Sequence, residues 1–451
     1  MEENIPGAQE AGFNIDNSEE VIIKALGVGG GGCNAVQRMY EQCIKNVSFA
    51  VLNTDLKALQ KSKVPNKIQI GTGLGAGNKP DVARAFAEEA EERIREIFND
   101  NTKMVFITAG MGGGTGTGAA PVVARIARDK GLLTIGIVTI PFLFEGEKKI
   151  LKALKGAEEM NKYVDAMLII NNQRLYDIYS DLSWTNAFQK ADDTLTTAAR
   201  SISELINSED PVINLDFNDV DTTLRNGGAA IISTGYGEGE HRVTKAIDEA
   251  LRSPLLKNRD IMSSKNILFN IYFNPEAEEE FKMEETEELT SFISSIDPQV
   301  DVIWGMAKDP SLGNKIKITI LAAGFEVSID TFKSHEEGSG GKKVSFGYNK
   351  KKEEPERGNI DLLIGEYGQE AVKKMKESRA KIGYIILQPS QMDDDSFIDA
   401  FEKSPTYNRE KRVADEIKEL GRQNSGTQKE TPINNNRNGN NRNGNNVISF
   451  S

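Results

Sequence analysis

The stretch Gly110-Met111-Gly112-Gly113-Gly114-Thr115-Gly116-Thr117-Gly118 constrains this chain more than any other. It follows the apolar run Met104 to Ala109 and precedes Ala119 to Ala127, a segment of helical composition with Pro121 expected in its first turn. The order is strand, glycine loop, helix. Six glycines within nine residues remove the Cβ atoms that would hold a ligand off the backbone, and they permit positive φ angles that turn successive N–H groups toward one point. At a helix N-terminus such a concavity suits phosphate, with Thr115 and Thr117 adding hydroxyl donors. The plainer reading is a flexible surface loop, but such loops seldom lie between a buried strand and a helix. The pattern GxxxxGK[ST] occurs nowhere in the chain, so backbone amides and a metal ion would carry most of a nucleotide's charge.

Two further glycine clusters follow the same logic. The strand-like run from Val21 leads into Val28-Gly29-Gly30-Gly31-Gly32-Cys33-Asn34, a turn compatible with a dinucleotide fingerprint, with Asp55 placed where a ribose-binding acid would fall. Gly71 to Gly77 follows Ile68 to Ile70. The next four residues, Asn78-Lys79-Pro80-Asp81, spell NKxD, a guanine-reading pattern that lacks its Walker-loop partner here and more plausibly opens a helix. Ala83, Phe86, Ala90, Ile94 and Ile97 then recur at helical spacing. Strands at Leu132 to Thr139 and Ala166 to Ile170 complete an alternation of strands and helices with every glycine loop at a strand's C-terminal end. That pattern predicts a doubly wound parallel sheet with one nucleotide site along that edge.

From Thr185 to Asn207 the chain predicts a long helix without Gly or Pro, its stripe Phe188, Ala191, Leu195, Ala198, Ile202 and Leu205 suited to packing between two domains. Asp192 and Asp193 on its N-terminal part are within reach of a base at the site. After it, Asn214, Asp216 and Asp219 put two carboxylates three residues apart beside an asparagine. That spacing allows them to orient a water or a metal, or simply to cap a helix. Runs at Ala229 to Ser233, Ile267 to Phe273, Val302 to Met306 and Ile316 to Ala322, with helices at Arg242 to Leu251 and near Glu284 to Ile296, predict a second, smaller α/β domain without a glycine cradle. Beyond Phe332 the composition turns Gly/Ser-rich and charged, which predicts a disordered linker with a short helix near Gln369 to Arg379 and an Asn/Gly/Arg tail from Asn434.

Composition narrows the function. A chain of 451 residues with a net charge of −13 is poorly suited to nucleic-acid binding, and no apolar run approaches a membrane span. The polar, acidic stretch Met1 to Glu20 is unlike a signal peptide, so a cytoplasmic location is expected. With Cys33 and Cys43 the only cysteines and His241 and His335 the only histidines, neither a disulfide framework nor Cys–His catalysis is expected.

Gly29 to Asn34, Gly110 to Pro121, Pro141 to Gly146 and Asn214 to Val220 together resemble the bacterial tubulin-like cell-division GTPases, the FtsZ family, over roughly Val21 to Phe325. The resemblance implies a tubulin-like α/β fold. It divides the chain into a disordered extension at 1–19, a GTP-binding domain at 20–184, a central helix at 185–207 and a C-terminal activation domain at 208–330. A linker at 331–403, a partner-binding peptide at 404–420 and a low-complexity tail at 421–451 follow. It implies GTP/GDP and Mg²⁺, with K⁺ as a further candidate ion.

Residue by residue, the resemblance assigns Gly30, Gly31, Gly32, Cys33 and Asn34, Gly75, Ala76 and Gly77, and Gly112, Gly113, Gly114, Thr115 and Gly116 to the phosphates. Glu145 falls on the sugar side, and Lys149, standing where many relatives have arginine, falls where a phosphate contact would be a point charge rather than a fork. Asn172 and Asp192 match the guanine readers, Phe188 the stacking ring, and Asn171 stands where proline is common. Asp216 and Asp219, with Asn214, match acids acting on the neighbouring subunit's nucleotide. Pro405, Tyr407 and Arg409 resemble a peptide that docks on membrane-anchoring division proteins. The implied protein is a head-to-tail homopolymer at the mid-cell division site, neither binding nucleic acid nor inserting into the membrane. A polymerising scaffold without hydrolysis and a dinucleotide oxidoreductase remain the alternatives.

Overall fold

The computed structural model describes residues 21–178, 184–208, 210–252, 264–278, 281–325 and 362–380, with a few isolated positions beyond. The peptide positions Pro405, Tyr407 and Arg409, the extension at 1–19 and the tail at 421–451 lie outside the described residues. The chain divides into units at residues 1–369 and 370–451.

The first half builds the wound sheet that the alternating pattern predicts. Strands β1 (Ile23–Val28), β2 (Val47–Asn53), β3 (Asn66–Gln69), β4 (Met104–Gly110), β5 (Leu133–Ile140) and β6 (Ala166–Asn171) run parallel in the order β3-β2-β1-β4-β5-β6. β1 and β5 are buried along their whole length, the state of a parallel strand covered on both faces by helices. The covering helices are α1 (Gly29–Glu41), α2 (Leu56–Lys61), α3 (Pro80–Glu89), α4 (Glu91–Glu96), α5 (Thr115–Asp129), α6 (Glu147–Asn161) and α7 (Asn172–Ile178). The amphipathic stretch expected as one helix from Ala83 to Ile97 breaks at Ala90 (φ −97°, ψ 13°) into α3 and α4. Helix α5 opens earlier than expected, inside the glycine loop at Thr115. Pro121 therefore lies within the helix, not in its first turn, and cannot donate to the Thr117 carbonyl.

Helix α8 (Trp184–Ile206) is followed by a short strand β7 (Pro211–Ile213), α9 (Phe217–Leu224), β8 (Gly228–Gly237), α10 (Arg242–Leu251), β9 (Asn266–Phe273), α11 (Thr286–Ser295), β10 (Asp301–Lys308) and β11 (Ile316–Phe325). These strands continue the same sheet in the order β8-β11-β9-β10-β7, mixed in direction. The join is narrow: β6 and β8 share only the pairs Ala166 with Gly228 and Met167 with Ala229. Ala191, Leu195, Ala198, Ala199, Ile202 and Leu205 of α8 enter one apolar cluster with Phe106 and Ile135 of the first half and Ile232, Leu268 and Leu321 of the second. The apolar stripe thus serves both halves.

Three hydrogen bonds fix the direction of α8. Arg38 Nε donates to Asp193 Oδ1 at 2.8 Å, Ser203 Oγ reaches the Lys45 carbonyl at 3.5 Å, and Arg200 pairs with Gln42 between them. Sequence number rises together on both partners, so α8 runs parallel to α1. It starts at the glycine-loop edge of the sheet and ends at the opposite edge.

Candidate nucleotide-binding site

The glycine loops close on one another. A Cβ on Gly29 would lie 2.7 Å from the Gly116 nitrogen, and one on Gly114 would lie 3.0 Å from Ala76 Cβ and 3.1 Å from the Lys79 nitrogen. A Cβ on Gly112 would lie 2.9 Å from the Pro141 ring. The loops after β1, β3, β4 and β5 therefore meet along one edge, with glycine wherever backbone approaches backbone. Gly30, Gly75, Gly77 and Gly113 instead face open space within 4 Å, leaving room for a ligand against the backbone.

The electrostatics favour an anion. Among the described residues neither α1 nor α5 has a side-chain N-cap hydrogen bond, and neither carries an acidic residue in its first turn. Their leading N–H groups and positive dipole ends thus point at the cradle without a competing carboxylate. Thr115 Oγ1 lies 2.7 Å from Thr54 Oγ1, and Gly112 N–H donates to Thr117 Oγ1 at 2.8 Å, which stiffens the loop around its own rim. Thr54 has no signal in the sequence pattern. Only the fold brings it to the signature loop.

Cys33 turns inward. Its thiol approaches the carbonyls of Gly27 at 3.7 Å and Leu52 at 3.6 Å, and burial pushes its pKa up to about 12, so toward a ligand it offers only its N–H. Asn34 is exposed on the second turn of α1. Asp55, the candidate ribose-binding acid, caps α2, its Oδ1 accepting from Lys57 N at 2.9 Å and Ala58 N at 3.2 Å. Lys79-Pro80 opens α3, with Pro80 in its first turn.

In the turn after β5, Glu145 accepts from Phe142 N–H at 2.8 Å through Oε1 and pairs with Lys149 through Oε2. Asn171, at the end of β6, accepts from Gln173 N–H at 2.9 Å and donates to the Glu366 carbonyl at 3.0 Å. Asn172 is buried, and its Oδ1 has no hydrogen-bond partner among the described residues. Asp192 is largely buried, and desolvation raises its pKa to about 7, opposed by the Arg38 charge and assisted by Asp193. Arg38 gives its hydrogen bond to Asp193 rather than to Asp192. A buried amide oxygen without a partner and a desolvated carboxylate are complementary to a base edge rich in N–H donors. Phe188 precedes Asp192 by one turn of α8, and its ring lies outside what is described.

Asn214, Asp216 and Asp219 are not brought to this cradle. Asp216 caps α9, accepting from Asn218 N at 2.7 Å and Asp219 N at 3.1 Å, while Asp219 accepts from Asp216 N at 2.8 Å. This is a reciprocal capping box, and it leaves each carboxylate one oxygen for another partner. Asn214 and Asp216 are exposed. At about 1.5 Å per residue, the part of α8 from Asp192 to Ile206 spans about 21 Å, and the acids follow its far end.

A parallel wound sheet with an amide cradle, a long shared helix and a second mixed-sheet half defines the tubulin class of GTPases. The description "Tubulin/FtsZ family, GTPase domain" matches residues 22–180, and "FtsZ family, C-terminal domain" matches residues 228–326. The chain is 49% identical over 405 residues to the cell division protein FtsZ of Porphyromonas gingivalis, covering 88% of this chain and 87% of that one. It is 42% identical over 308 residues to FtsZ of Aquifex aeolicus, covering 67% and 83%. Among solved structures, an empty FtsZ dimer of M. jannaschii matches with a TM-score of 0.60 at 36% identity, covering 67% of this chain and 88% of that one. CetZ1 of Haloferax volcanii, at 20% identity and a TM-score of 0.59 over 68% of this chain and 95% of that one, shares the fold. The chain belongs to the FtsZ family of cell-division GTPases.

Proposed function

We propose that this GTPase assembles head to tail and cleaves GTP between successive subunits, with Asp216 and Asp219 acting on the neighbour's nucleotide. One observation carries the reading: the cradle and the acidic pair lie at opposite ends of α8, too far apart for one subunit to use both. Head-to-tail stacking brings one subunit's acids to the next subunit's cradle. The solved FtsZ dimer of M. jannaschii is in keeping with such assembly.

In this scheme the leading amides of α1 and α5 and the N–H groups of Gly30 to Asn34, Gly75 to Gly77 and Gly112 to Gly116 hold the phosphates. Asn172 and Asp192 read the guanine edge, Phe188 stacks on it, Glu145 faces the sugar, and Lys149 offers a point charge to the phosphates. The free oxygens of Asp216 and Asp219, with Asn214, position the attacking water in line with the γ-phosphate. The capping box fixes the two carboxylates relative to each other, so little ordering remains for the moment of reaction. Among the described residues no group of three or more His, Cys, Asp or Glu side chains is placed to hold a metal. Mg²⁺, whose bound form commonly relies on phosphate oxygens and water, would neutralise charge developing on the phosphates. K⁺ is a further candidate ion.

We further assign the chain to the division ring on the cytoplasmic face of the membrane at mid-cell, with Pro405, Tyr407 and Arg409 docking on anchoring proteins. Among the described residues no helix is long and apolar enough to cross a membrane. The test is GTP hydrolysis per molecule against total protein, with light scattering in parallel. A concentration threshold shared by both signals is expected; a specific rate that stays flat on dilution would show a complete site in one subunit and end the proposal.

A further inference from the structure

The nucleoside end of the site is built from two turns, Pro141 to Glu145 after β5 and Asn171-Asn172 after β6, at the C-terminal ends of paired strands. A short helical turn at 362–367, far away in sequence, bonds to both. Tyr367 Oη donates to the Pro141 carbonyl at 2.5 Å, and the Asn171 amide donates to the Glu366 carbonyl at 3.0 Å. Leu363 anchors the turn, with only 1% of its surface exposed. Gly368 ends it at φ +82°, its N–H donating to the Ile364 carbonyl at 2.8 Å, a conformation that a side chain would disfavour.

Burial raises the Tyr367 phenol well above its usual pKa, and the charges of Glu366 and Glu145 add to the rise. The hydroxyl therefore stays protonated and donates. The Pro141 carbonyl that it bonds lies four residues before Glu145, the residue assigned to the sugar. The turn belongs to the same compact unit as the cradle, although residues 326–361 separate it from β11.

We propose that residues 362–367 are a built-in strap across the nucleoside end of the nucleotide site, and that its release governs how fast nucleotide enters and leaves. The inference rests on the nucleotide assignment above. Its two polar anchors among the described residues are single hydrogen bonds to the turns assigned to the nucleoside, and because opening also exposes Leu363, the closed state dominates and release is the slow step. A strap over the entrance slows association and dissociation together, whereas a mere wall of the pocket would slow dissociation alone.

The test uses the full chain and a fluorescent GDP analogue in stopped flow. Tyr367→Phe removes one bond and keeps the ring. It should speed both association and dissociation about two- to tenfold, the range of one neutral hydrogen bond, with the dissociation constant nearly unchanged. Leu363→Ala should act in the same direction, with circular dichroism reporting that the wound sheet remains folded. Unchanged rates in both variants would overturn the strap, and so would faster dissociation with unchanged association. If the wild-type chain fails to bind the analogue saturably, the nucleotide assignment itself falls and takes the strap with it.

Discussion

Asp192→Asn separates what the site costs the fold from what it gives the ligand. Desolvation raises Asp192 from the ordinary aspartate value of 3.8 to about 7, so the native state holds a proton that the unfolded chain has released. The associated stability is complete below pH 4 and is lost as pH rises through 7. Over the whole interval the loss is about 4 kcal/mol, of which about 3 kcal/mol falls between pH 5 and pH 8. An asparagine has no such dependence. Urea unfolding of the nucleotide-free protein should therefore show wild type losing about 3 kcal/mol relative to Asp192→Asn between pH 5 and pH 8. Nucleotide binding should show the opposite preference, because a guanine edge needs the ionised carboxylate. With a pKa near 7, guanine nucleotide should bind wild type about tenfold more weakly at pH 6 than at pH 8, measured against the Asp192→Asn baseline to remove the titration of the phosphates. Parallel stability curves for the two proteins would refute the desolvated carboxylate. A binding curve equally flat in both would refute its role as base reader.

Other substitutions test the remaining parts. Gly113→Val points into open space and should keep the melting temperature while abolishing GTP binding; Gly114→Val strikes Ala76 and the Lys79 backbone and should lose stability too, as differential scanning would record. Asp216→Ala and Asp219→Ala should each keep GTP binding, lose most turnover and poison mixed assemblies, with about 1 kcal/mol of stability lost from the helix cap. Asp216→Asn should restore that stability but not the rate, so restored turnover would mean that the cap alone was needed. Cys33, buried with its thiol pushed up to about 12, should resist alkylation at pH 8 while exposed Cys43 reacts, giving one label per native chain by mass spectrometry.

Local patterns carried much of the architecture. The three glycine loops fall at strand ends as expected because strand, turn and helix preferences there agree within a few residues. Arg242 to Leu251 forms the helix that its periodicity predicts. What was illegible depends on partners distant in sequence. The break at Ala90 has no Gly or Pro to announce it, while the neighbouring Glu91 bonds Arg95 and, across to α5, Arg125. Strand β7 exists because Ile213 and Pro211 meet β10, almost a hundred residues away. Residues 362–367 fell within a segment expected as linker on composition, yet one leucine and one tyrosine tie the turn to the sheet edge. The acids illustrate the remaining ambiguity: the capping and water-orienting readings of Asp216 and Asp219 use different oxygens and are compatible.

The parallel course of α1 and α8 also distinguishes the two tips of a filament under the assembly proposed here. Each contact joins unlike surfaces, so stacking gives an open, directional chain rather than a closed ring of two. At one tip the last subunit holds a nucleotide that no neighbour's acids reach; at the other, a pair of acids has no nucleotide to face. A filament of n subunits therefore has n − 1 working sites, and its two tips differ in chemistry even when every subunit carries GTP.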